Sequence, residues 1–160
     1  MEFIRYKHAR FSARFPAHYT YSPSHYWMAP IPEQPNQWKI GFTKFATRML
    51  GELVDAEFSV AQGDSVSPGM EIGWVEGFKA ASDVLCVMNG NFTGDNPALQ
   101  VDACIVRSDP YVDGWLYSVT GSPEEQSLDA EGYIKRLDET ITRMQAQEER
   151  NQDPSSPAGP

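Results

Sequence analysis

Glu71-Ile72-Gly73-Trp74-Val75-Glu76-Gly77-Phe78-Lys79-Ala80-Ala81-Ser82-Asp83-Val84-Leu85-Cys86-Val87-Met88 is the stretch from which the rest of the chain is read. Two extended-looking segments, residues 71–76 and 83–88, flank a run where Gly77 lets the backbone bend and Ala80, Ala81 and Ser82 are small. Strand, small-residue turn, strand predicts a hairpin, closed after Met88 by Asn89-Gly90. Lys79 then falls at or near the tip. An amine there is presented to another protein's active site, which is the exposure that acylation of a side chain requires.

The 160 residues predict one domain, and an apolar fraction of 41% with eight Phe, seven Tyr and four Trp is enough for a packed core. No apolar run approaches the roughly 20 residues that span a bilayer. Arg5, Lys7, Arg10 and Arg14 interrupt any secretory apolar region. A cytoplasmic protein without membrane insertion is expected. The net charge of −9 argues against a nucleic-acid partner, which would need clustered Lys and Arg. Yet four of the 13 Lys and Arg lie in the first 14 residues. Cys86 and Cys104 make no disulfide framework, and no Cys or His set has metal-ligand spacing. Both cysteines read as buried free thiols.

Residues 1–20 read as an aromatic and basic extension lying against the domain, with Pro16 ending any helix. A turn at Tyr21–Ser24 precedes a first strand, and residues 38–43 alternate like another. Residues 45–50 have helical spacing with Gly51 as stop, and residues 52–60 read as a strand. Residues 91–98 read as a loop and 114–119 as a strand. Ser122-Pro123-Glu124-Glu125 has the form of a helix start. Ala130, Ile134, Leu137, Ile141 and Met144 share one helical face, which predicts a helix over 129–145. The polar, Pro-bearing stretch 146–160 reads as a disordered tail. Short strands, frequent turns and a terminal helix place the chain in the mainly β class.

Several segments carry a resemblance beyond the lysine. They are Tyr21-Ser22-Pro23-Ser24-His25-Tyr26-Trp27, Gly41-Phe42-Thr43-Lys44-Phe45-Ala46 with Leu50-Gly51, Gly63-Asp64-Ser65-Val66 and Glu76-Gly77-Phe78-Lys79-Ala80-Ala81-Ser82-Asp83. Asn96-Pro97-Ala98-Leu99, the run Asp109-Pro110-Tyr111-Val112-Asp113-Gly114-Trp115-Leu116 and Ser127–Tyr133 follow. In this order and near this spacing they resemble the glycine cleavage H-protein family of lipoyl carriers, over about residues 21–141. The resemblance implies a barrel-sandwich hybrid of two small antiparallel sheets with peripheral helices, here a domain over 21–145. It implies a carrier, not an enzyme, with lipoic acid in amide linkage to Lys79 as a swinging arm. Glu76, Gly77, Ala80 and Asp83 are then expected to serve ligase recognition and the turn. Lipoate ligase or lipoyl-assembly enzymes and dihydrolipoamide dehydrogenase are the expected partners. A biotin carrier would show Met on both sides of the lysine, where this chain has Phe78 and Ala80.

The chain also departs from the family pattern. Tyr26 stands where the family has Glu, and Lys44 where it has Asp, while Asp83 keeps its acid. If Tyr26, Lys44 and Asp83 surround the arm, the site has lost affinity for a cationic aminomethyl cargo and gained some for an anion. Phe78 beside the lysine, Cys86 and Val87 make the stretch more similar to the H-like lipoate-binding proteins of bacterial sulfur oxidation. That resemblance implies a heterodisulfide-reductase-like complex as partner and sulfur as cargo. Glycine cleavage is the alternative. An unlipoylated scaffold and an enzyme using Cys86 as nucleophile are the remaining classes, the second disfavoured because all three His lie within residues 1–25.

Overall fold

The computed structural model describes residues 1–152. In chain order the elements are β1 (Phe3–His8), β2 (Phe11–Pro16), β3 (Thr20–Tyr21), β4 (Tyr26–Pro30), β5 (Gln37–Phe42) and α1 (Lys44–Leu50). There follow β6 (Leu53–Phe58), β7 (Ser65–Val66), β8 (Glu71–Gly77), β9 (Ala81–Leu85) and β10 (Met88–Asp95). Then come α2 (Ala98–Val101), α3 (Ile105–Ser108), β11 (Tyr117–Pro123) and α4 (Ala130–Gln152). The strands form a six-stranded sheet in the order β3-β4-β5-β11-β10-β7 and a three-stranded sheet in the order β6-β8-β9. Every pairing is antiparallel. The two expected sheets are joined by a third, the β1-β2 hairpin.

Alternation along the strands sends one face of each larger sheet into a common core. Met28, Ile40, Ile72, Val75, Val84, Met88, Tyr117 and Val119 are fully buried there. Burial of each such side chain stabilises the fold by about 1.5–3 kcal/mol. A second, aromatic cluster joins Phe11 and Phe15 of β2 to Tyr21, Trp27 and Phe45 and to Tyr133, Leu137 and Ile141 of α4. Tyr21 and Tyr133 stack with ring centroids 5.0 Å apart, and Phe15 meets Tyr133 edge-on at 5.5 Å. The first 16 residues are thus a hairpin whose inner face is core.

Three local expectations are corrected. Asn89-Gly90 does not close the lysine hairpin, and residues 91–95 are not loop. β10 runs through both, with Gly90 opposite Gly121 of β11. Ser122 and Pro123 do not start a helix. They end β11, where Pro123 pairs with Met88, and the helix starts at Ala130 with Asp129 Oδ1 accepting the Gly132 N–H at 2.7 Å. Finally α4 continues to Gln152 into the stretch read as a tail, because Ala146, Gln147, Glu148 and Glu149 are helix formers that propagate an existing helix. The rest of that stretch, 153–160, lies outside the described residues.

Candidate functional site

β8 and β9 pair in register, Glu76 opposite Ala81 and Trp74 opposite Asp83. The Gly77 N–H donates to Ala80 O at 2.9 Å and closes a turn that carries Phe78 and Lys79. Phe78 is 75% exposed, and Lys79 is exposed.

The turn does not hang free. The end of α1 holds it by backbone alone. The Lys79 N–H donates to Leu50 O and the Phe78 N–H to Glu52 O, both at 3.0 Å. Those carbonyls point at the hairpin because Gly51 ends the helix at φ 75° and ψ −169°, a region that essentially only glycine adopts and that costs another residue on the order of 1–3 kcal/mol. The contact is tight from both sides. A Cβ on Gly51 would lie 3.0 Å from Lys79 Cγ, and one on Gly77 would lie 2.2 Å from Leu50 O. Lys79 Nζ has only a long contact to Arg48 O at 3.4 Å and no ion pair among the described residues. An amine so placed is sterically free to be acylated, on a backbone held by two hydrogen bonds. The residues therefore fit an amide-linked lipoyl group.

Beside the turn lies a cleft of about 470 Å³ walled by α1, β4 and β9. Tyr26 and Asp83 line it, and so do His25 and Glu71, which the sequence reading did not single out. The Tyr26 hydroxyl is buried and accepts the Leu85 N–H at 2.9 Å. Burial first, with the nearby Asp83 carboxylate adding, pushes its pKa up to about 12, so it stays neutral. Burial pulls His25 down to about 4, and its Nδ1 meets the Tyr133 hydroxyl at 2.8 Å. Among the described residues, the only formal charges lining the cleft at neutral pH are the carboxylates of Glu71 and Asp83.

Lys44 is not part of this cleft. Phe45, Ala46, Met49 and Leu50 give one face of α1 to it, and Lys44, on the other side of the helix, lines a separate cleft with β1 and β2. The expectation that Lys44 belongs to the arm's surroundings is corrected on that ground. Glu76 is exposed on β8 opposite Asp55, outside both clefts. Cys86 is fully buried with its thiol donating to Met88 O at 3.2 Å, and burial raises its pKa. Cys104 is half-buried, and the neighbouring carboxylates of Glu52 and Asp102 push its thiol up to about 11. Neither thiol is poised as a thiolate nucleophile.

The glycine cleavage H-protein family matches residues 19–140. The chain is 35% identical over 127 residues to the glycine cleavage system H protein of Shewanella denitrificans, covering 78% of this chain and 96% of that one. It is 38% identical over 124 residues to that of Coxiella burnetii, covering 76% and 93%. The crystal structure of a glycine cleavage system H protein from Mycobacterium marinum superposes with a TM-score of 0.68 at 30% identity, covering 77% of this chain and 98% of that one. The chain belongs to the glycine cleavage H-protein family, which consists of carriers rather than enzymes and bears lipoic acid covalently on a lysine.

Proposed function

We propose that Lys79 is the lipoylated residue and that the chain carries an aminomethyl group between a glycine decarboxylase and an aminomethyltransferase, with dihydrolipoamide dehydrogenase restoring the disulfide. One observation supports this cargo over an anionic one: among the described residues, the cleft beside Lys79 is lined by Glu71 and Asp83 and by no Lys or Arg. An amine cargo is cationic at neutral pH. Carboxylates at the surface stabilise it by on the order of 1 kcal/mol or less each, and they disfavour an anion equally. The expectation of a sulfur cargo rested on Tyr26 and Lys44 together and on Phe78, Cys86 and Val87; of these, Lys44 lines the other cleft.

When attached, the dithiolane supplies two sulfurs that take up and release cargo by thiol chemistry, at the high effective concentration that a tether provides. The chain's own residues hold the turn rigid through Leu50 and Glu52, keep the lysine exposed, and offer a cleft with apolar walls from Phe42, Phe45 and Met49. Glu76 presents a carboxylate with no ion pair among the described residues, on the hairpin arm, for a lipoate ligase to read.

A second reading keeps one observation of its own. Tyr26 places a neutral hydroxyl in the cleft where the family pattern has Glu, and that hydroxyl can donate to an anionic sulfur cargo destined for a heterodisulfide-reductase-like complex. One assay separates the two. The lipoylated protein is added to purified glycine decarboxylase and aminomethyltransferase. Turnover that falls severalfold in the Glu71→Gln, Asp83→Asn double variant is expected. Absence of turnover, with loading of the reduced arm by a sulfane-sulfur donor instead, would replace this proposal with the second.

A further inference from the structure

A second cleft is larger than the one beside Lys79. It has a volume of about 860 Å³ and lies between the β1-β2 hairpin and the corner formed by α1 and α3. Arg5, Lys7 and Arg14 enter it from the hairpin, Lys44 from α1 and Arg107 from α3. Five of the chain's 13 Lys and Arg thus surround one volume in a protein of net charge −9. No Asp or Glu lines it, and none of the five forms an ion pair with a carboxylate among the described residues.

The hairpin builds this concentration deliberately into its register. Arg5 stands directly opposite Arg14, and Lys7 opposite Ser12, on the face turned away from the aromatic core. Like charges directly opposite one another destabilise a strand pair. Here the arrangement persists with no acid to relieve it. Arg14 lies over the Phe3 ring at 4.8 Å, which orders its guanidinium. The hairpin also precedes the region that matches the family, which starts at residue 19. The hairpin wall of the cleft therefore lies outside the family match, whereas Lys44 and Arg107 lie within it, and the cleft opens on the opposite side of α1 from the arm cleft.

We propose that this cleft binds a small polyanion bearing two or more phosphate-type groups. The volume falls within the range of about 300–1,000 Å³ typical of small-molecule sites. Cations converging from three elements on one concavity suit a compact multiply charged ligand. Arginine forks match phosphate oxygens two at a time. An acidic protein surface or an RNA strand would instead be met by an extended basic stripe, and α4 outside the cleft carries acidic and basic residues interspersed.

The test is calorimetric titration of the full-length lipoylated protein with inorganic tripolyphosphate and with ATP, using orthophosphate as the single-group control. Saturable one-to-one binding of the first two is expected, weakening as salt rises, with orthophosphate at least about tenfold weaker. Lys44→Ala and Arg107→Ala, which leave the hairpin untouched, should each weaken binding about tenfold. Arg136→Ala, an exposed arginine on α4, should not. Thermal unfolding of each variant confirms that the fold is retained. No saturable heat, or equal losses in Arg136→Ala and Lys44→Ala, would overturn the proposal. Tighter binding of polyglutamate or an RNA homopolymer at the same residues would overturn it too, by assigning the cleft to a macromolecule.

Discussion

Gly77→Ala tests whether the lysine turn is clamped by the end of α1. No positive φ is involved at Gly77, so the effect is steric. The added methyl would sit 2.2 Å from Leu50 O and 2.9 Å from Leu50 C, both backbone atoms that no rotamer change can move. Reaching an ordinary contact requires the turn and the end of α1 to part by more than about 1 Å. That displacement takes the Lys79 N–H···O Leu50 and Phe78 N–H···O Glu52 bonds from 3.0 Å beyond hydrogen-bonding range. Overpacking in place would cost about 1–3 kcal/mol, whereas undocking the tip gives up two backbone bonds at about 1 kcal/mol each. The two are comparable, and an exposed turn can release, so undocking limits the loss to about 2 kcal/mol. For a chain of this size that lowers Tm by about 4–8 °C. Amide exchange at Phe78 and Lys79 should accelerate while Ile72 and Val84, in the sheet core, stay protected. Gly63→Ala is the control, since its Cβ would meet nothing within 4 Å, and its cost is confined to a φ of 94°. Unchanged Tm together with unchanged protection at Phe78 and Lys79 in Gly77→Ala would refute the clamp.

Other outcomes follow from the same geometry. His25 falls from 6.5 to about 4 on burial, so the unfolded chain binds its proton first as pH drops. Its contribution is fully present above about 6.5 and is lost as pH falls from there through about 4, on the order of 3 kcal/mol in all, and chemical denaturation against pH should flatten over that window in His25→Asn. Glu76→Ala removes an exposed carboxylate with no hydrogen bond among the described residues, so stability should move by less than about 0.5 kcal/mol while the rate of modification by a lipoate ligase falls; an unchanged rate would remove Glu76 from ligase recognition. Phe15→Ala empties a fully buried site against Tyr21 and Tyr133 and should cost about 3–5 kcal/mol in denaturant unfolding; a cost below about 1 kcal/mol would mean that the N-terminal hairpin is not part of the core.

The lysine hairpin was legible because both strands and the small-residue turn are local signals, and the structure places Lys79 in that turn. The N-terminal hairpin was not legible as one. Its turn is Ala9-Arg10, with Ala9 at φ 53°, and it lacks the Gly or Asn that marks such turns. Asn89-Gly90 misled in the opposite sense, since turn residues were absorbed into a strand whose partner, β11, lies far along the chain. Ser122-Pro123-Glu124-Glu125 carried a helix-start pattern, but pairing of Pro123 with Met88 decided its state. Within the site, Tyr26 and Asp83 were readable from the family pattern. Lys44 was misplaced because the sequence does not state the rotational phase of a two-turn helix relative to a cleft. Glu71 and His25 were missed because only folding brings the start of β8 and the turn before β4 to the same wall.

The central claim is that this clamped turn exists to present Lys79 for modification. The most direct measurement is intact mass, with peptide mapping, of the wild-type chain and of Lys79→Arg after reaction with a lipoate ligase, lipoate and ATP. The account predicts one lipoyl group on the wild type, mapped to Lys79, and none on the variant. A lipoyl group persisting on Lys79→Arg, or an unmodified wild type under conditions that fully modify another member of the family, would contradict it.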